Sequence, residues 1–133
     1  MQPIPKNVAA WIAGFFDGEG TIGIYLPKGA KTPCHRVHLY NNHLSALTLV
    51  RQHLGGHLKK VSEDGGLNSY CLQLRLDELP RFVEHVVPHL RIKAANGMLI
   101  RRFLECREEG WTQDTISEVI GMYQAIKAPK ALR

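Results

Sequence analysis

The stretch "AAWIAGFFDGEGTI", residues 9–22, ends an apolar segment in two carboxylates, Asp17 and Glu19, with a glycine on either side of Glu19. From Asn7 to about Gly18 small and apolar residues occupy nearly every side of a helix, which predicts burial on more than one face. Carboxylates at a helix C-terminus face the negative end of the macrodipole, at a cost of roughly 0.3–1 kcal/mol each. No basic residue in the stretch compensates. The letters suit a plain turn, because Asp-Gly and a glycine after a helix are good C-cap chemistry. They equally suit a divalent cation, for which hard oxygen ligands favour Mg²⁺. Ala10, Gly14 and Gly18 recur every four residues, a stripe along which two helix backbones can approach closely. Packing two copies about a twofold axis would bring both acidic ends together. Carboxylates that close do not both stay charged without a cation.

Outward from this helix, strands are expected over 21–27 and 34–40, joined by the loop "KGAKTP". A second helix, with Asn41 or Asn42 as N-cap, carries Leu44, Leu47, Val50 and Leu54 and stops at Gly55-Gly56. A second hairpin fits 57–61 and 69–76 around "SEDGGLN". Asp77 is expected to cap a third helix interrupted at Pro88, followed by a fourth over 95–109. Thr115 and Glu118 match a capping box opening a fifth. The segment 127–133 has no core pattern and is expected to be a loose tail. The order α-β-β-α-β-β-α plus two helices predicts an α+β fold in one domain, 1–133, with helices on one face of an antiparallel sheet and a polar face left open.

The 133 residues are 44% hydrophobic, and none of the apolar runs approaches the ~18 residues of a membrane span. No membrane association is expected. The N-terminus lacks a signal-peptide pattern, so the cytosol or an organelle interior is expected rather than secretion. Cys34, Cys71 and Cys106 are odd in number and widely spaced, as reduced thiols are. The formal charge is +5, and Thr21–Ser62 holds six Lys/Arg, five His and no acid. Such a block attracts phosphates, although a solvated basic face has the same composition. Alternation puts Tyr25, Arg36, His38, Tyr40, Lys59, Cys71, Gln73 and Arg75 on polar strand faces, where Arg and Gln can read base edges and Lys contacts phosphate. "HLKKV" does not fix its own phase, so His57 and Lys60 are also candidates. Lys28 and Lys31 on the first hairpin suit flanking phosphates. Cys34/His38 could face one metal and His53/His57 repeat that spacing across a Gly-Gly break, but each pair is half of the four ligands a folded zinc site needs. Zinc is not expected.

Residues 12–20, "IAGFFDGEG", resemble the nine-residue signature of the LAGLIDADG homing endonucleases, with Ile12 in place of Leu. The resemblance extends over about 100 residues, through the order of elements, "LGG" at 54–56 and "PHLRIKAANGMLI" at 88–100. It implies a homodimeric, Mg²⁺-dependent endonuclease cutting both strands of a long, near-palindromic DNA target, with Ca²⁺ or Mn²⁺ able to replace Mg²⁺ in binding. It places the metal on Glu19 and the carbonyl of Gly18, and leaves Asp17 a structural acid near the helix end. Two chains would meet along Ala10, Gly14, Phe15, Asp17 and Gly18. A basic residue pointing into the active site matches Lys93, with Arg91 as the competing position. Asn41, Asn42 or His43 matches a polar residue near the attacking water. The alternative within the same resemblance is a chain that no longer cuts and serves as an intron-RNA maturase or a DNA-binding regulator.

Overall fold

The computed structural model describes residues 2–64 and 67–128. The Gly65-Gly66 of the expected turn and the expected tail from 129 onward lie outside the described residues. The elements are α1 (Lys6–Glu19), β1 (Gly20–Tyr25), β2 (Cys34–Asn41), α2 (Leu44–Leu54), β3 (His57–Asp64), β4 (Leu67–Gln73), α3 (Leu79–His85), α4 (Ala94–Glu109) and α5 (Gln113–Lys127). The strands form one open antiparallel sheet in the order β1-β2-β4-β3, so the α+β architecture expected from the sequence is the one found.

The sheet turns Ile22, Ile24, Val37, Leu39 and Leu72 toward the helices, where they join Ile12, Phe16, Leu47, Leu54, Phe82, Leu99 and Ile100 in one apolar cluster. Phe16 of α1 meets Phe82 of α3 edge-on at 5.0 Å between ring centroids, which fixes how the signature helix lies on the domain. Gly97 lets α4 seat closely, because a Cβ there would come 2.8 Å from Val87 and 2.9 Å from Leu90. At the sheet edge, Asn96 Nδ2 donates to the Ile22 carbonyl at 2.9 Å, so α4 covers part of the otherwise open β1.

Several local expectations are corrected. Asn41 ends β2 and does not cap α2, whose first residue is Leu44. The third helix breaks at Pro88 as expected, since proline cannot donate the bond that would continue it, but it opens with a 3₁₀ turn (Leu76–Glu78) before α3 and a second 3₁₀ turn (Val87–His89) follows. Asp77 lies within the first turn and Glu78 does the capping, its carboxylate accepting from the N–H of Arg75 at 2.7 Å and of Gly56 at 2.6 Å. The N-cap of α5 is Thr112, not Thr115; the two residues exchange backbone-to-hydroxyl bonds of 2.9 and 3.1 Å. Glu118 is drawn instead to the Arg102 guanidinium at 2.5 and 3.0 Å, tying α5 to α4, because a bidentate cation outcompetes a backbone N–H for a carboxylate.

Candidate metal centre and nucleic-acid interface

No linker separates α1 from β1: Glu19 ends the helix and Gly20 opens the strand with extended backbone (φ −85°, ψ 160°). A Cβ on Gly20 would stand 2.5 Å from the Phe16 ring and 2.9 Å from its backbone, so only glycine permits so tight a junction. The two carboxylates before it then part company. Asp17, partly buried, turns toward the segment leading into α4 and accepts the N–H groups of Arg91 (2.8 Å), Ile92 (3.0 Å) and Lys93 (2.9 Å). Lys93 returns the contact, its Nζ donating to the carbonyls of Phe16 (3.1 Å) and Asp17 (2.8 Å). The clasp pairs opposite charges with opposite helix ends: the Lys93 cation sits on carbonyls at the C-terminus of α1, and the Asp17 carboxylate gathers the N–H groups of the segment that runs into the N-terminus of α4, which has no side-chain N-cap of its own. An acid at the C-terminus of α1 is thereby explained without a metal.

Glu19 is the acid left over. It is exposed and held by Asn41, whose Nδ2 donates to Oε2 while its Oδ1 accepts from the N–H of His43 at 2.8 Å. The Asn41 amide is thus fixed at both ends and aims one carboxylate oxygen. Gly18 beside it is exposed, with nothing within 4 Å of where a Cβ would be. Lys93 stands behind the acidic tip, its Nζ committed to two carbonyls of the helix end. Arg91, the competing position, offers its backbone N–H to Asp17 and is exposed.

The donor set fits a hard divalent cation in type, since an exposed, oriented carboxylate is a normal Mg²⁺ ligand. It does not fit in number. With Asp17 engaged by three N–H groups, a single chain offers one free carboxylate, and among the described residues no group of three or more His, Cys, Asp or Glu is placed to hold a metal.

The sheet face turned away from the core starts at this tip. Cross-strand register places Thr21, His38, Gln73 and His57 in one row and Tyr40, Cys71 and Lys59 in the next, with Gly23 opposite Arg36 and Tyr25 opposite Cys34. The Arg36 guanidinium lies 4.4 Å above the Tyr25 ring and His38 meets Tyr40 edge-on at 4.8 Å, so cationic and aromatic groups alternate as they do on stacking and phosphate-binding surfaces. Lys28 and Lys31 are exposed on the β1–β2 loop. Thr21 was not singled out in the sequence, although extending the alternation back from Ile22 finds it.

Three expected face residues move. Cys71 has the right parity but is buried (2% exposed) between Tyr40 and Lys59, with its thiol pushed up by that burial. Lys60 pairs with Tyr70 and so shares the parity of Leu58, on the opposite side of β3 from Lys59. Arg75 lies beyond the end of β4 at Gln73 and pairs with Glu78 at 3.5 Å. Alternation fixes parity within a strand, but neither where the strand stops nor what covers it.

His38 is half-buried in the middle of this face, its Nδ1 without a hydrogen-bond partner among the described residues. Burial, and secondarily Arg36, holds its pKa below the ordinary 6.5. A folded pKa below the unfolded one means the unfolded chain binds the proton more readily, so stability is lost as pH falls below about 6.5. Urea midpoints at pH 7.5 and pH 5 should therefore differ less in His38→Gln than in the parent; an equal difference would remove His38 from the acid response.

No protein-family model matches this sequence, and no curated protein matches it. Solved structures do. The archaeal intron-encoded homing endonuclease I-Vdi141I, complexed with DNA, aligns with a TM-score of 0.69 over 96% of this chain and 87% of its own, at 11% identity. I-CvuI, a homing endonuclease bound to the I-CreI target with Mg present and the DNA not cleaved, gives 0.63 over 90% and 80%, at 19% identity. The LAGLIDADG meganuclease I-AabMI, bound to uncleaved DNA, gives 0.66 over 88% of this chain but 44% of its own, at 20% identity. These likenesses define a DNA-endonuclease type of fold. More particularly, the chain has the fold of the LAGLIDADG homing endonucleases.

Proposed function

We propose that the protein is a divalent-metal-dependent homing endonuclease that acts as a homodimer and hydrolyses one phosphodiester in each strand of a long, near-palindromic duplex. The observation that carries this reading is the division of labour at the end of α1: Asp17 is consumed in a structural clasp, and Glu19 is left exposed and oriented where the polar sheet face begins. Two copies remedy the shortage of ligands, since each brings one Glu19 and DNA phosphates supply further oxygens. The dimer is further supported by α1 itself. Ala10, Gly14 and Gly18 are exposed along one stripe, nothing lies within 4 Å of the would-be Cβ atoms of Gly14 and Gly18, and Trp11 beside them is 42% exposed. An apolar helix with so bare a face is half an interface. Phe15 borders it; Asp17 faces its own chain's α4, so its expected place in the dimer contact gives way to the clasp.

In this reading Glu19 and the Gly18 carbonyl hold the metal, for which Mg²⁺ is the natural choice and Ca²⁺ or Mn²⁺ a substitute in binding. A bound Mg²⁺ supplies Lewis-acid polarisation of the phosphate and makes water more acidic. Asn41 keeps the carboxylate aimed. Lys93 fixes the helix end carrying both ligands and leaves a third N–H and its positive charge to balance charge building on phosphate. Arg36, His38, Tyr40, Gln73, Tyr25 and Lys59 contact the bases and backbone of the target, with Lys28 and Lys31 on flanking phosphates.

The test is to incubate the protein with a randomised duplex pool in Mg²⁺ or Ca²⁺ and sequence the cut and bound fractions. A cut consensus with twofold symmetry in Mg²⁺, and binding that weakens by orders of magnitude between roughly 50 and 200 mM salt, are expected. Absence of duplex retention at low salt would overturn the reading. Binding without cuts in Mg²⁺ would transfer the fold to the non-cleaving class.

A further inference from the structure

The reading face does not end at the sheet. Gly23 points to the same side as Thr21 and Tyr25, yet it is buried, because a side chain from outside the sheet covers it: a Cβ on Gly23 would fall 2.3 Å from the Tyr123 hydroxyl oxygen and within 3 Å of its ring. Tyr123 belongs to α5, which packs against edge strand β1, so its phenol reaches the polar face at that edge. There it sits across from Arg36, the register partner of Gly23, whose guanidinium lies over Tyr25. Lys127, one turn on, places its Nζ 5.0 Å from the centre of the Tyr123 ring, steadying the ring by cation–π attraction. The hydroxyl makes no hydrogen bond among the described residues. The ring is thus held between the strand at Gly23 and the Lys127 ammonium, with a hydroxyl that can still bond a group brought to this face.

We propose that Tyr123 is a specificity-determining residue of the DNA interface: α5 inserts its hydroxyl through the gap left by Gly23, and with Arg36 it reads one or two adjacent base pairs in each half-site. This rests on the reading of the sheet as a DNA surface. A strand rises about 3.3 Å per residue, so Gly23, four residues beyond Glu19, lies about 13 Å outward from the proposed metal, or roughly four base pairs. The phenol hydroxyl is both donor and acceptor, a match to base edges in the major groove.

The test compares the parent, Tyr123→Phe and Gly23→Ala on the randomised duplex pool, with thermal unfolding of each in parallel. Tyr123→Phe keeps the ring packing and should leave the unfolding temperature unchanged while base preference drops about three- to tenfold at those pairs alone, the worth of one hydrogen bond. Gly23→Ala forces the ring aside and should disturb preference at the same pairs. Unchanged profiles in a folded Tyr123→Phe protein would overturn the inference and leave DNA binding standing. Failure of the parent to retain any duplex would overturn both.

Discussion

Glu19→Gln should abolish cleavage, by at least about a thousandfold or ~4 kcal/mol of barrier, while duplex binding stays the same or tightens. The substitution keeps the side chain's length and an oxygen for Asn41 Nδ2, so neither α1 nor the sheet face is disturbed. What disappears is the exposed carboxylate at the tip, and Asp17, held by three backbone N–H groups, cannot replace it without releasing the segment before α4. Removing a negative charge near DNA phosphates accounts for the tighter binding. Asn41→Ala touches the aim of the carboxylate and not its charge, and should cost cleavage roughly ten- to a hundredfold. Single-turnover cutting rates beside equilibrium binding at one salt concentration decide both. A Glu19→Gln protein that cuts at the parental rate would end the proposal of a metal at this position.

Asp17→Ala should produce the second large effect, and on stability. It withdraws the acceptor for Arg91, Ile92 and Lys93 and leaves the clasp with the two bonds of the Lys93 ammonium. A charged acceptor contributes about 1.5–3 kcal/mol per bond where buried; with the Arg91 and Ile92 N–H groups open to water, roughly 2–4 kcal/mol in total is expected. That is a large share of the stability of a domain this size. Asp17→Asn, which keeps one acceptor oxygen, should lose about half as much. Urea unfolding of the three proteins at pH 7.5 measures the series, and an Asp17→Ala midpoint equal to the parent's would show that the clasp contributes nothing. Because Glu19 stands two residues away on the same helix end, cleavage should fall with Asp17→Ala even at temperatures where the protein remains folded.

The fold was highly legible because its signals are periodic and local. Alternation in "CHRVHLY" separates Val37 and Leu39 from Arg36, His38 and Tyr40, and the structure buries the first pair and turns the second set outward. Gly55 and Gly56 end α2 with positive φ, as a glycine pair after an apolar helix announces. The caps were less legible. Asn41, Asp77 and Thr115 all have cap chemistry, yet Asn41 is drawn to Glu19 and α2 starts after His43 with no side-chain cap, Glu78 takes the N–H groups of Arg75 and Gly56, and Thr112 caps α5. A cap is a competition among nearby polar groups, and the sequence lists the competitors without their distances.

The site divides the same way. From the spacing of its residues alone the chain determined that two acids close a buried helix, that small residues line one stripe of it, and that a basic, acid-free block follows. The resemblance of the signature names Asp17 as the structural acid, but only the tertiary structure decided what each acid is held by. Asp17 and Glu19 are chemically near-equivalent two positions apart, but the 100° turn of a helix per residue sends them in different directions. One meets the backbone of 91–93, more than seventy residues away, and the other meets Asn41. Likewise, no alternation pattern could show that Tyr123 of the last helix comes to rest over Gly23 of the first strand. Periodicity is a property of neighbours along the chain, whereas the role of a charge or a ring is set by what the fold brings against it.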